Sequence, residues 1–388
     1  LFGDGEANTL MSGRGRDFLI GRDGNDALFG AAGRDILSGG DGIDTLRGGE
    51  GNDLLIAQQY ADDRGGEEYH GDEGFDTLSY AARLNEFDSF FDSRDYTSGP
   101  TEFRDYASAA SAASGGTTGP VVVRAGAGEI DRLDGNGGVL GTDRAYGVET
   151  FVGSSSNDTL FGGGDALERI EIDGANGDDV LHSWGAQEVR GGGGDDLMIA
   201  ERAPEGGRIT LFGFDGGMGL DTLDLRPVGD ARFILKTDVS GRINFTAAAK
   251  DFAGNPLNAR GEGFNVEGTE RFILGVNDDW VQWGTGTDGE ILGGAGDDYL
   301  SSASGVGTQA PTFRGQEGDD TIELNDGGRG FGGAGDDRIE VNSSGDLVAE
   351  GGEGNDTFFI RRMDNRLDGG AGYDKLILRP NDGGGVTV

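Results

Sequence analysis

The chain has no cysteine, 7 prolines and 4 methionines in 388 residues, and its two histidines, His70 and His182, lie far apart. No disulfide can staple it, and the histidines belong to no HExxH or other zinc signature. Proline is too scarce for collagen. Basic residues are also short, 31 Lys and Arg against 71 Asp and Glu, for a formal net charge of -40. Such a chain repels nucleic acid and anionic membrane surfaces and attracts multivalent cations. No run approaches the roughly 18 uncharged apolar residues of a membrane span, so a soluble chain with no span is expected. The opening LFGDGEANTL lacks the basic start and apolar stretch of a signal peptide. No EF-hand loop, GxSxG or lysine-bearing phosphate loop is found, and no catalytic residue is assigned.

What the chain has instead is glycine, 79 residues of it, in a fixed phase. From Gly3 to Ile56 the sequence divides without a gap into GDGEANTLM, SGRGRDFLI, GRDGNDALF, GAAGRDILS, GGDGIDTLR and GGEGNDLLI. The sixth position reads Asn8, Asp17, Asp26, Asp35, Asp44, Asp53, and the eighth reads Leu10, Leu19, Leu28, Leu37, Leu46, Leu55. A random linker does not hold leucine at one phase six times running.

Each position has a physical use. Glycines reach left-handed backbone conformations at little cost, so positions one to four predict a tight loop with inward carbonyls. Positions seven to nine, as in Thr45-Leu46-Arg47, alternate as a short strand with one buried face does. Two such halves, eighteen residues, return the chain above itself. Stacked strands lie about 4.7 to 4.9 Å apart and calcium takes oxygens at about 2.3 to 2.6 Å, so an ion fits midway between aspartates one coil apart. Asp17, Asp35 and Asp53 are then expected on one edge and Asn8, Asp26 and Asp44 on the other. Asp44 shares an ion with Asp26, and Asp53 with Asp35.

These nonapeptides resemble GGxGxDxUx, the calcium-binding repeat of RTX (repeats-in-toxin, hemolysin-type) proteins. The resemblance implies an all-β fold, a parallel β-roll (β-solenoid), with several Ca2+ ions held six-fold by aspartate and backbone carbonyl. It also implies a secreted protein, found outside the cell or on its surface, that crosses a type I secretion channel unfolded and folds on meeting calcium. That family's secretion signal lies at the extreme carboxyl end.

Single copies follow at Gly71, Gly174, Gly191 and Gly216, adding Asp76, Asp179, Asp196 and Asp221 as candidate ligands, with Asp158 in GSSSNDTLF. A second cluster at Gly293, Gly315, Gly332, Gly351 and Gly369 adds Asp298, Asp320, Asp337, Asp356 and Asp374. Its starts differ by 22, 17, 19 and 18 residues, a full coil in which one half keeps the motif. Asp320, Asp337, Asp356 and Asp374 are therefore expected to form one continuous calcium edge, with the opposite edge poor in metal. Asp288, in the poorer match GTGTDGEIL, reads as an ordinary loop residue. The acids preceding several of these aspartates, such as Asp178 and Asp319, are expected to face water rather than to do acid/base chemistry.

Two longer segments interrupt the coils and resemble each other, Gly147, Glu149 and Phe151 aligning with Gly268, Glu270 and Phe272. The repeated glutamates suggest a structural hydrogen bond. The expected organisation is a tandem roll over 1–80, an insertion over 81–152, degenerate coils over 153–224, a second insertion over 225–284, a one-sided roll over 285–377, and the start of a third insertion over 378–388. That last start, with the first residue lying just ahead of a repeat, suggests a segment of a longer protein. Phe87, Phe90, Phe91, Tyr96, Phe103 and Tyr106 of the first insertion either cover the roll or form a partner patch. Trp280 and Trp283 are expected to cap the core more than to stack on a sugar.

Two readings of the parent protein stay open: a large extracellular structural or adhesive protein with the roll as spacer, in contact with polysaccharide or cell-surface proteins, or a secreted enzyme such as a serralysin-like protease or an alginate epimerase or lyase. The segment itself is not expected to be an enzyme.

Overall fold

A computed structural model describes residues 1–57, 65–80, 120–134, 136–163, 170–184, 188–201, 213–228, 233–237, 243–247, 264–284, 289–302, 311–325, 327–342, 347–361 and 366–378. The aromatic segment 84–106, Asp288 and nearly all of 378–388 lie outside the described residues. The chain divides into two compact units, residues 1–198 with 215–219 and residues 199–214 with 220–388. Among the described residues there is no α-helix, and no helix long and apolar enough to cross a membrane.

In the first unit, successive half-coils feed two parallel sheets. One stacks Phe18–Asp23, Ile36–Asp41, Leu54–Ile56, Thr77–Ser79, Thr150–Val152, Glu171–Asn176 and Glu188–Gly193 in that order. The other begins with Thr9–Met11, Ala27–Gly33, Thr45–Glu50 and Glu68–Glu73. Register sets equivalent residues directly above one another, so Leu19, Leu37, Leu55, Leu78, Phe151, Ile172 and Val189 form one buried column. Leu28, Leu46 and Tyr69 form another on the facing sheet. The leucine phase is thus the interior of a parallel β-solenoid, both sheets turning alternate residues inward.

The strands are longer than the three residues expected. Thr45–Glu50 runs through the first three positions of the following repeat, and Gly49 pairs with Ala31. Only positions four to six turn. The second glycine of each pair therefore serves the stack more than the loop: Gly40 has φ +108°, and a Cβ there would run into the carbonyl oxygen of Arg22 in the coil before. All five non-glycine residues with positive φ among those described, Arg22, Ala31, Asp72, Ala175 and Gln316, occupy this same second position, at φ 71° to 87°.

The first insertion is a three-stranded antiparallel meander, Val121–Arg124, Glu129–Leu133 and Val139–Tyr146, spliced into one sheet. Its last strand lies parallel on Glu68–Glu73, and its first strand receives Thr159–Gly162 and then Val180–Ser183. The solenoid is thereby continued through strands running in alternate directions.

The second unit repeats the plan. Thr222–Asp224, Arg271–Ile273, Glu290–Ala295, Thr312–Glu317, Arg329–Ala334, Val348–Glu353 and Arg366–Ala371 form one parallel sheet. Trp280–Trp283, Tyr299–Ser302, Thr321–Leu324, Arg338–Val341, Thr357–Ile360 and Lys375–Leu378 form the other. The second insertion splices its own antiparallel meander, Phe233–Thr237, Ile243–Ala247 and Phe264–Glu267, onto Trp280–Trp283. Trp283 is buried against Phe272, while Trp280 stacks on Tyr299 at 5.7 Å.

Candidate metal centre

Each coil ends in a turn that sets the sixth-position carboxylate against the preceding coil. Oδ1 accepts the backbone N–H of the equivalent residue one coil earlier: Asn8 to Asp26 at 2.6 Å, Asp26 to Asp44 at 2.7 Å, Asp17 to Asp35 at 2.7 Å, Asp35 to Asp53 at 2.8 Å and Asp53 to Asp76 at 2.7 Å. Asp44 and Asp53 precede strands of different sheets and so stand on opposite edges. Asp158 and Asp179 continue the pattern toward Asp196 at 2.7 and 2.8 Å. In the second unit one ladder runs from Asp279 through Asp298, Asp320, Asp337 and Asp356 to Asp374, each link between 2.7 and 3.1 Å.

The other oxygen of these carboxylates is the chemically informative one. Oδ2 of Asp17, Asp26, Asp35, Asp53, Asp76, Asp179, Asp298, Asp320, Asp337 and Asp356 is buried with no hydrogen-bond partner. A column of buried carboxylate oxygens, each above another, is costly unless a cation satisfies it. The space for one is framed by the position-one glycine: a Cβ built on Gly30 would lie 2.6 Å from Asp35 Oδ2 and 2.7 Å from the carbonyl oxygen of Gly48. Two oxygens converging at such distances make the kind of cradle that calcium takes, with ligands at about 2.3 to 2.6 Å. Among the described residues no three Asp, Glu, His or Cys side chains gather around one point, so a cation here must draw largely on backbone carbonyls. The donors are all hard oxygens, which suits calcium and not zinc.

Burial pushes these carboxyls well above the usual 3.8, against the opposing effect of the N–H bonds: Asp35 and Asp53 to about 6, Asp76, Asp320 and Asp337 to about 7, and Asp298 to about 8. Asp179 is pushed to about 10 by burial and then by the charge of Asp158. Asp26 and Asp356 rise for the same first cause.

The candidates are not all alike. Asp158 Oδ2 accepts the Ser154 N–H, and its Oδ1 accepts the Ser154 hydroxyl at 2.9 Å and the Val121 N–H at 2.6 Å. Asp279, not singled out from sequence, is held similarly by the N–H groups of Gly275 and Phe233. Asp221 donates its N–H to Glu270 Oε2 at 2.9 Å, as Asp76 does to Glu149 Oε2 at 2.8 Å. The matched glutamates thus take the ladder position where each insertion returns, following Gly147 and Gly268 at φ +59° and +56°. Asp374, the last link, is exposed. The fifth-position acids Asp178, Asp195, Asp297, Asp319 and Asp336 face water as expected, yet build a second ladder, Asp319 N–H donating to Asp297 Oδ1 at 2.9 Å and Asp336 N–H to Asp319 Oδ1 at 2.7 Å.

On the opposite edge of the second unit the equivalent positions are Gly289, Pro311, Gly328 and Leu347; none offers a carboxylate, and the carbonyls of Gly289, Pro311 and Leu347 continue the backbone links. His70 stacks on Tyr146 at 4.9 Å and His182 on Phe161 at 4.4 Å, both as sheet-face residues.

A family model described as the RTX calcium-binding nonapeptide repeat, in four copies, matches residues 2–37, 38–59 and 145–166. Asn8, Asp17, Asp26, Asp35, Asp44, Asp53 and Asp158 fall within these stretches. No curated protein matches the chain. Calcium-binding nonapeptides of the RTX hemolysin type are thus present in this chain, wound into parallel β-solenoid coils with their carboxylates in register.

Proposed function

We propose that this chain is a calcium-induced folding module of a large secreted bacterial RTX protein, acting as a rigid extracellular structural or adhesive spacer and aiding secretion by folding only outside the cell. The observation that carries the reading is the column of buried Oδ2 atoms without partners. Calcium, when bound, supplies the double positive charge and the oxygen-seeking shell that these columns lack.

Asp17, Asp26, Asp35, Asp44, Asp53, Asp76, Asp179, Asp196, Asp221, Asp298, Asp320, Asp337, Asp356 and Asp374 are proposed as ligands, with Asn8 and Asp158 as weaker ones. The chain's own residues do three things for such ions. The ladder N–H groups fix Oδ1 and so aim Oδ2; the glycines leave room at the cradle; the leucine columns exclude water from the inner side. In low calcium the carboxylates repel and the glycines hold high chain entropy, so the chain stays largely disordered. Ions that bind only the folded state then stabilise it by mass action. On the order of ten ions, one per pair of loops, would cancel about half the net charge.

Circular dichroism of the chain in chelator and in millimolar calcium tests this. Little strand signal in chelator and a cooperative gain with calcium are expected; equally folded spectra in both would overturn the reading.

A further inference from the structure

The carboxylate column that starts at Asn8 does not stop at Asp44. Backbone links place Glu67 and then Asp143 on the next two levels: the Glu68 N–H donates to the Asp44 carbonyl at 3.0 Å and the Arg144 N–H to the Glu67 carbonyl at 2.9 Å. The same link joins Ala27 to Asn8 and Thr45 to Asp26. The side-chain link also continues, the Glu67 N–H donating to Asp143 Oδ1 at 3.2 Å.

What changes here is the cation. Arg132, on the middle strand of the first meander, is 2% exposed and is the one buried arginine among the described residues. Its Nε donates to Asp143 Oδ2 at 2.6 Å, and its Nη2 donates to Asp143 Oδ1 at 3.0 Å and to Glu67 Oε1 at 2.7 Å. Tyr80 donates its hydroxyl to Asp143 Oδ2 at 2.8 Å, Tyr69 donates its own to Glu67 Oε2, and the Gly66 N–H donates to Asp143 Oδ1 at 3.0 Å. Asp143 is therefore saturated at both oxygens, whereas Asp26 in the same column has a buried Oδ2 with no partner. A guanidinium is always charged, and its planar fork fits a carboxylate with two parallel bonds.

We propose that Arg132 stands in for the calcium ion at this one level, so that the side of the splice it holds, residues 66–73 with 121–146, folds without metal and forms a clamp on which the calcium-dependent coils stack. The inference rests on the calcium reading of the neighbouring levels. Its geometry favours early formation: the meander is built from antiparallel neighbours close in sequence, which pair at lower loop-closure cost than parallel coils. The five side chains that meet at the clamp satisfy one another, as a buried charge network must if it is to hold.

Hydrogen exchange read by mass spectrometry on the full chain tests the assignment. In excess chelator, peptides within 66–73 and 121–146 are expected to exchange at least about ten-fold more slowly than peptides within 36–56 and 312–324, which gain protection only as calcium is added. Equal exchange in chelator, with one common calcium midpoint for all four, would overturn the proposal. Full protection of 36–56 and 312–324 in chelator would instead overturn the calcium reading, and the proposal with it. Arg132→Gln is expected to make protection of 66–73 calcium-dependent, and unchanged protection of that segment in chelator would also overturn it. If the variant does not fold in either condition, the comparison within the unsubstituted chain still decides.

Discussion

The backbone N–H of Asp35 donates to Oδ1 of Asp53, one coil on and 2.8 Å away, while Oδ2 of Asp53 is buried with no hydrogen-bond partner. One oxygen thus serves the fold and the other serves a cation. Asp53→Asn separates the two roles, because the amide oxygen can still accept from Asp35. In millimolar calcium the variant is expected to lose about 1 to 3 kcal/mol, the scale of a lost charged partner. In chelator it is expected to gain stability, since a buried unpaired charge is gone. Urea unfolding in calcium and the residual strand signal by circular dichroism in chelator read the two signs, and loss in both would mean that the charge serves no ion.

Acid should partly replace the metal. Burial raises Asp35 and Asp53 to about 6 and Asp76, Asp320 and Asp337 to about 7, so the folded chain binds protons more tightly than the unfolded chain, whose carboxyls keep about 3.8. Stability from these groups is fully present below the unfolded value and is lost as pH rises through 6 to 7. In chelator the chain is therefore expected to unfold as pH is raised from about 4 to about 8. With calcium present the dependence reverses, because protons compete for the same oxygens, and the calcium midpoint should rise as pH falls below about 7. Calcium titrations followed by circular dichroism at several pH values check both directions.

The columns were legible because the repeat prints them. Leu19, Leu37 and Leu55, or Asp320, Asp337 and Asp356, recur at one phase, and parallel stacking turns phase into contact. Asp279 escaped because GVNDDW lacks most of the glycines, although Gly275 still lies four residues ahead and Asp278-Asp279 repeats the paired-acid signature. Glu67 and Asp143 were beyond reach for another reason. They meet across 76 residues and an antiparallel meander, and no local pattern encodes which arginine will enter between them. In the second unit the motif is lost on alternate halves, and Gly289, Pro311, Gly328 and Leu347 stand where carboxylates would.

Second-position glycines should be unequal to the residues that replace them. Gly40 sits at φ +108° with the Arg22 carbonyl where its Cβ would go, whereas Ala31 sits at φ 74°, near the left-handed region that L-residues tolerate. Gly40→Ala is expected to cost more than about 2 kcal/mol in saturating calcium. Ala31→Gly is expected to stay within about 1 kcal/mol, because relief of strain offsets the added chain entropy. Urea midpoints in calcium compare them, and equal losses would mean that the stack, not φ, decides.

The two returning glutamates offer a paired test of how an insertion is sealed. Glu149 accepts the Asp76 N–H at 2.8 Å and Glu270 accepts the Asp221 N–H at 2.9 Å, each across the point where a meander re-enters the coil. Without that acceptor a buried N–H loses its partner, at about 1 to 3 kcal/mol. Glu149→Ala and Glu270→Ala should each lower stability by about that amount, while Glu149→Gln and Glu270→Gln, which keep an oxygen at the same reach, should lose less than half as much. Glu149→Asp is one methylene too short to reach and should behave like alanine. The order alanine and aspartate below glutamine, seen at Glu149 in thermal melts with calcium, would establish the reach of the acceptor as the cause. Glutamine falling to the alanine level would instead assign the effect to the negative charge, and so to a cation beside Asp76.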